Sequence, residues 1–227
     1  MYSFKEFISE GINTPTSPAK IISVLNSTKK SFIGKTFTPS KFKSLLQKTL
    51  NKTGVDVLVS LEKDKENIIG EPNIVVISGF YDSMEDEDEE TPFEIVVVYD
   101  KRGKIVVDEE CWGHISKEIP EVLTHEIHHS YQARRRDFNP ASDKSKMYKT
   151  SDAQYLGNDD EIEAYANDIA KNMLVMNKYA KAMSLLKRGN VDVPIFQDYI
   201  KEFGKAHKVT KKLTKKIIQF LNHYNEK

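Results

Sequence analysis

The chain carries a single cysteine, Cys111, in 227 residues. That excludes an intramolecular disulfide, and a lone thiol is what a reducing compartment permits. There is no excess of charge either: Lys+Arg and Asp+Glu both number 34, for a net charge of +0 and a pI near 7.0. Nothing global therefore draws the chain to nucleic acid or an anionic membrane, and a nucleic-acid partner is not expected. Long apolar runs are missing too, with a mean hydropathy of -0.53. The opening MYSFKEFISEG alternates aromatic and charged residues where a secretory signal would be apolar, and no stretch reads as a membrane span. A cytoplasmic protein without a classical export signal is the expectation. Internal repeats are absent. The one low-complexity stretch is the acidic run Glu85 to Glu90, which reads as a solvated hairpin loop because like charges repel and stay hydrated.

What is present is a legible order of elements. Residues 1–18 combine a short amphipathic turn (Phe4, Phe7, Ile8) with NTPTSP and read as an arm and linker. Thr38 and Pro39 signal a helix start, and Phe42, Leu45, Leu46 and Leu50 recur at helical spacing. Val55 to Glu62, Asn73 to Asp82, Pro92 to Asp100 and Lys104 to Asp108 read as strands of a small, mostly antiparallel sheet. Pro120 sits where the next helix should begin. Phe138 to Gln154 is polar and aperiodic and reads as a loop or lid. Asn158, followed by Asp159, Asp160 and Glu161, caps a helix whose apolar stripe is Ile162, Ala166, Ile169, Met173 and Met176, with a possible run on to Leu186. After Pro194 come two amphipathic helices with lysine-rich polar faces. Lys208, Lys211, Lys212, Lys215 and Lys216 read as a solvated face, since no aromatic residues interleave with them.

The chemistry concentrates in Glu121 to Arg136, where His125, Glu126 and His129 stand in the spacing H-E-x-x-H. On a helix, residues four apart lie one turn along and nearly on the same face, so both imidazoles can reach one cation. Glu126 is then placed to hold a water against that metal and take its proton. Gln132 and Arg135 stand where a metzincin needs glycine and histidine, so that pattern is excluded. His128 reads as a neighbouring surface or supporting residue. Cys111 reads as a buried thiol, and Trp112 and His114 fall on the connection into the helix. Arg134 to Arg136 suit the negative end of the helix dipole.

Downstream, GNDDEIEAYAND (Gly157 to Asp168) contains the run EIEA, Glu161 to Ala164. Together with the H-E-x-x-H helix it resembles the gluzincins, zinc metallopeptidases with an E-x-x-A signature on a second helix. The opening SFKEFISEG also resembles the N-termini of proteins from large tailed bacteriophages. The gluzincin resemblance implies Zn²⁺ held by His125, His129 and Glu161, with Glu126 as general base. Glu163, supported by Asn167, stays open as the alternative ligand, because Glu161 could instead complete the cap at Asn158. Tyr155, Tyr165 and His207 are candidates for stabilising the oxyanion.

The resulting expectation is an α+β, zincin-like zinc metalloendopeptidase acting on a polypeptide. Its arm would span 1–18 and its single catalytic domain 19–227, divided into a helix and sheet lobe (19–135) and a helical lobe (136–227). If phage-encoded, it would work in the host cytoplasm or the virion. The alternatives are a non-catalytic phage structural or host-interaction protein with a structural metal, or a metal hydrolase acting on a non-peptide bond.

Overall fold

The computed structural model describes residues 16–65, 69, 75–82, 92–100, 102–136 and 152–226. The expected arm up to residue 15, the acidic run and most of the expected lid lie outside the described residues. The chain divides into two compact units, Met1–Phe138 and Asn139–Lys227, and is of mixed α and β structure.

In the first unit, Ser17 caps helix α1 (Pro18–Thr28) by accepting from the backbone of Lys20, with Pro18 in the first turn. The helix begins at the last residue of the stretch read from the sequence as linker. Strand β1 (Lys35–Phe37) follows, then α2 (Pro39–Leu50), then β2 (Val57–Lys63), β3 (Val76–Phe80), β4 (Phe93–Tyr99) and β5 (Ile105–Val107). β1 and β5 form an antiparallel pair. The other sheet has the order β2-β4-β3, and its longest ladder, β2 with β4, is parallel over seven residues. Two of the three pairings among the described residues are antiparallel, as expected, but the longest is parallel. Alternation along a strand marks which face is buried; it does not say which neighbour pairs with it or in which direction.

Helix α3 (Glu109–Arg135) starts eleven residues before Pro120. Asp108 caps it by accepting from the Cys111 backbone at 2.8 Å, and Glu109 and Glu110 complement the positive end of the dipole. Pro120 therefore lies inside the helix, where it deprives one carbonyl of its partner, and the long buried face outweighs that loss. Cys111 and Trp112 are core residues, not parts of a connecting loop. Burial, then Asp108, push the Cys111 thiol up to about 12, so it stays protonated. The core of this unit joins Ile21, Leu25, Phe32, Phe42, Ile95, Trp112, Ile115 and Leu123.

The second unit is helical: α4 (Asp152–Leu156), α5 (Asp159–Met176), α6 (Tyr179–Arg188), α7 (Pro194–Phe203) and α8 (Lys208–Asn225). Residues 152–154, read as loop, open α4. Asn158 caps α5 by accepting from the Asp160 backbone. Ile162, Ala166, Ile169 and Met173 of α5 are buried, as are Leu213, Ile217 and Phe220 of α8, the helix α5 packs on most extensively. Met176 is 56 % exposed and leaves the expected stripe, because α5 ends there and Asn177 is extended. No described helix is long and apolar enough to cross a membrane.

Candidate metal centre and basic face

In the first unit, α3 places His125 and His129 on one face, with their Nε2 atoms 3.0 Å apart and their rings nearly perpendicular. His129 Nδ1 stands 2.7 Å from Gln132 Oε1. A carbonyl oxygen only accepts, so Nδ1 carries the proton and Nε2 presents its lone pair toward His125. Two nitrogens bound to one tetrahedral zinc at 2.0–2.1 Å stand about 3.3 Å apart, so the pair needs to open by only a few tenths of an ångström to share an ion. His125 is buried, Gln132 fully so, and His128 is 8 % exposed, so of its two readings, surface or supporting residue, the surface one fails. Glu126 is half-buried against β3, and a Cβ built on Gly79 would meet its Cγ at 2.9 Å. That close backbone approach has a sequence signal, a glycine within a strand pattern.

In the second unit, Glu161 is 6 % exposed on the first turn of α5. The Tyr155 and Tyr165 hydroxyls lie 3.4 Å apart. Desolvation, then the negative charge of Glu161, hold the Tyr155 phenol far above its ordinary value, so it remains a proton donor. Glu163 is committed elsewhere: Lys216 of α8 reaches its Oε1 at 3.3 Å. Asn167, read as support for Glu163, accepts instead from the Tyr224 hydroxyl. His207 is exposed and caps α8, its Nδ1 accepting from the Val209 backbone at 3.3 Å.

The lysines of α8 divide by partner. Lys212 pairs with Asp159 and Lys216 with Glu163, tying α8 to α5, whereas Lys208, Lys211 and Lys215 are exposed and in no ion pair among the described residues. The whole-chain neutrality hides a division. Residues 1–138 hold 18 lysines and arginines against 23 acids, and residues 139–227 hold 16 against 11. Within 178–216 the count is 11 to 3, so the second unit offers anions a local field that the total cancels.

A family model described as Rotavirus RNA-binding Protein 53 (NS53) matches residues 56–226. No curated protein and no solved structure matches the chain. The family match overturns the gluzincin reading, with its peptidase activity and polypeptide substrate, and also the suggestion of a tailed-phage origin. It overturns as well the exclusion of a nucleic-acid partner, since the matching family is described by RNA binding. The physical reason is that H-E-x-x-H specifies donors able to converge, which is a property of helical spacing and not of a reaction. From the head of β2 to the end of α8, the matched span takes in most of both units, and the chain belongs to the Rotavirus RNA-binding Protein 53 (NS53) family.

Proposed function

We propose that this chain is a non-catalytic viral RNA-binding protein whose second unit supplies the electrostatic contact. The observation that carries the reading is the family match over 56–226, which includes the whole of the basic stretch 178–216. Lysines on exposed helix faces neutralise phosphates and release their counterions, so affinity comes with a steep dependence on salt. Fluorescence anisotropy of a labelled RNA with the full chain tests this. Binding at about 50 mM salt is expected to weaken with a slope of log K against log salt near -3, corresponding to about four phosphate contacts on a single strand. No binding at low salt, or a flat salt dependence, rejects the proposal.

A second reading concerns the metal and is favoured by one observation, the 3.0 Å approach of the two Nε2 atoms on α3. We propose that His125 and His129 hold Zn²⁺ as a structural ion. Calorimetric zinc titration is expected to show that His125→Ala and His129→Ala each lower affinity by about a hundredfold or more. Gln132→Leu, which frees the His129 ring, should lower it by about tenfold or more. Glu126→Gln should leave it unchanged. A chain that takes up no zinc, or His variants that titrate like the parent, would end this reading.

A further inference from the structure

Lys208, Lys211 and Lys215 lie at helical spacing on the side of α8 opposite Leu213, Ile217, Phe220 and Leu221, which are buried. They rise about 10 Å along the axis. With Lys212 and Lys216 engaged by α5, these three are the ammonium groups that α8 turns outward.

An aromatic feature stands at the head of this strip. The His207 ring stacks on Phe203 with centroids 5.2 Å apart and planes 11° from parallel. Phe203 in turn contacts the fully buried Tyr199 ring at 6.0 Å. The sequence arithmetic found no aromatics among the lysines because His207 and Phe203 precede them, across the α7–α8 turn. Folding puts the rings beside Lys208. The imidazole is held at one edge by its capping bond to Val209 and on one face by Phe203, yet it remains exposed. A flat ring already held in place loses little freedom when a second flat ring stacks on it.

We infer that the outward face of α8, with Lys208, Lys211 and Lys215 headed by the Phe203–His207 stack, is a docking strip for single-stranded RNA. The inference rests on the RNA-binding reading and adds the surface and the class of RNA. Positive charge selects the backbone, and the stacked rings select unpaired bases, whose faces a duplex keeps covered.

The test uses the full chain with labelled single-stranded and duplex RNA of about 12 units, close to the span such surfaces cover. Three proteins are compared: the parent, the triple variant Lys208→Gln, Lys211→Gln, Lys215→Gln, and His207→Asn. Asparagine keeps the helix cap and removes the ring. The parent is expected to bind the single strand more tightly than the duplex. The triple variant should lose at least about tenfold in affinity, and its salt slope should become shallower by about 2 as three contacts vanish. His207→Asn should lose about tenfold with the slope unchanged, since stacking carries no charge. Thermal unfolding of each variant verifies that these exposed positions leave the fold intact. If the parent binds RNA and both variants match it, the strip is wrong while the RNA reading stands. Tighter binding to the duplex overturns the single-strand assignment. A parent that binds no RNA, or binds only anionic vesicles, removes both.

Discussion

Replacing Phe32 by alanine should cost the first unit about 3–5 kcal/mol, the range for deleting a fully buried aromatic ring. Phe32 is 0 % exposed and meets three other rings: Phe37 and Phe42, each at 6.0 Å, and Trp112 at 4.9 Å. Those rings come from β1, α2 and the first turn of α3, so one side chain ties the neighbouring β1 and α2 to a helix far downstream in sequence. Removing it leaves a cavity whose walls are rigid aromatic plates with little freedom to collapse. In urea unfolding the midpoint should fall with the slope unchanged. Trp112→Phe provides the contrast. Among the described residues its indole N–H is buried without a hydrogen-bond partner, so phenylalanine removes an unsatisfied donor while losing some volume, and the net change should stay within about 1.5 kcal/mol. A cost below about 1 kcal/mol for Phe32→Ala would mean that this cluster is not the organising core.

The parts of the fold that local chemistry specifies were readable. Thr38-Pro39 and Asn158 with its acidic followers mark α2 and α5, period-two alternation marks β2, and a bounded apolar run marks β4. Ser17-Pro18 carries the same start signal as Thr38-Pro39, but the prolines and hydroxyls before it resemble a linker, and composition outweighed the cap. Asp108-Glu109-Glu110 is an equally good start for α3, masked by a proline eleven positions on that looked like a better one. Strand pairing was not readable at all. That β4 inserts between β2 and β3, parallel to one and antiparallel to the other, is decided by tertiary packing that the period of a strand does not encode.

The site divides in the same way. Helical spacing alone brings His125 and His129 together, and Gln132, one turn on, holds the second ring, so that group was visible in five to eight residues. The functional conclusion drawn from it was not a property of those residues. Charge failed for an arithmetic reason: a total of zero sums an acidic unit and a basic one, and a partner meets only the local field. The His207–Phe203 stack was hidden because a turn, not a helix face, brings the two rings together.

Gly79→Ala and Gly113→Ala are the same chemical change and should have opposite signs. At Gly113, on the exposed side of α3, an added Cβ meets nothing within 4 Å. Alanine there removes a flexible residue from a helix interior and should stabilise by about 0.5–1 kcal/mol. At Gly79 the Cβ would fall 2.4 Å from Val122 Cγ1 and 2.9 Å from Glu126 Cγ. Val122 cannot step aside easily, because a β-branched side chain in a helix has one favoured rotamer. Either α3 must lift from β3 or the strand must shift while its partner Ile95 in β4 stays buried, and both routes disturb packing. A loss of about 2–3 kcal/mol is expected, and more for Gly79→Val. Because the nearer of the two obstructions is a methyl group of Val122, Val122→Ala should recover part of the loss in the double variant, giving a coupling energy of about 1 kcal/mol or more. Urea midpoints of the two single variants and the double variant measure it. Additive effects would show that β3 does not approach α3 through Gly79, and with that the close backing of Glu126 would fall.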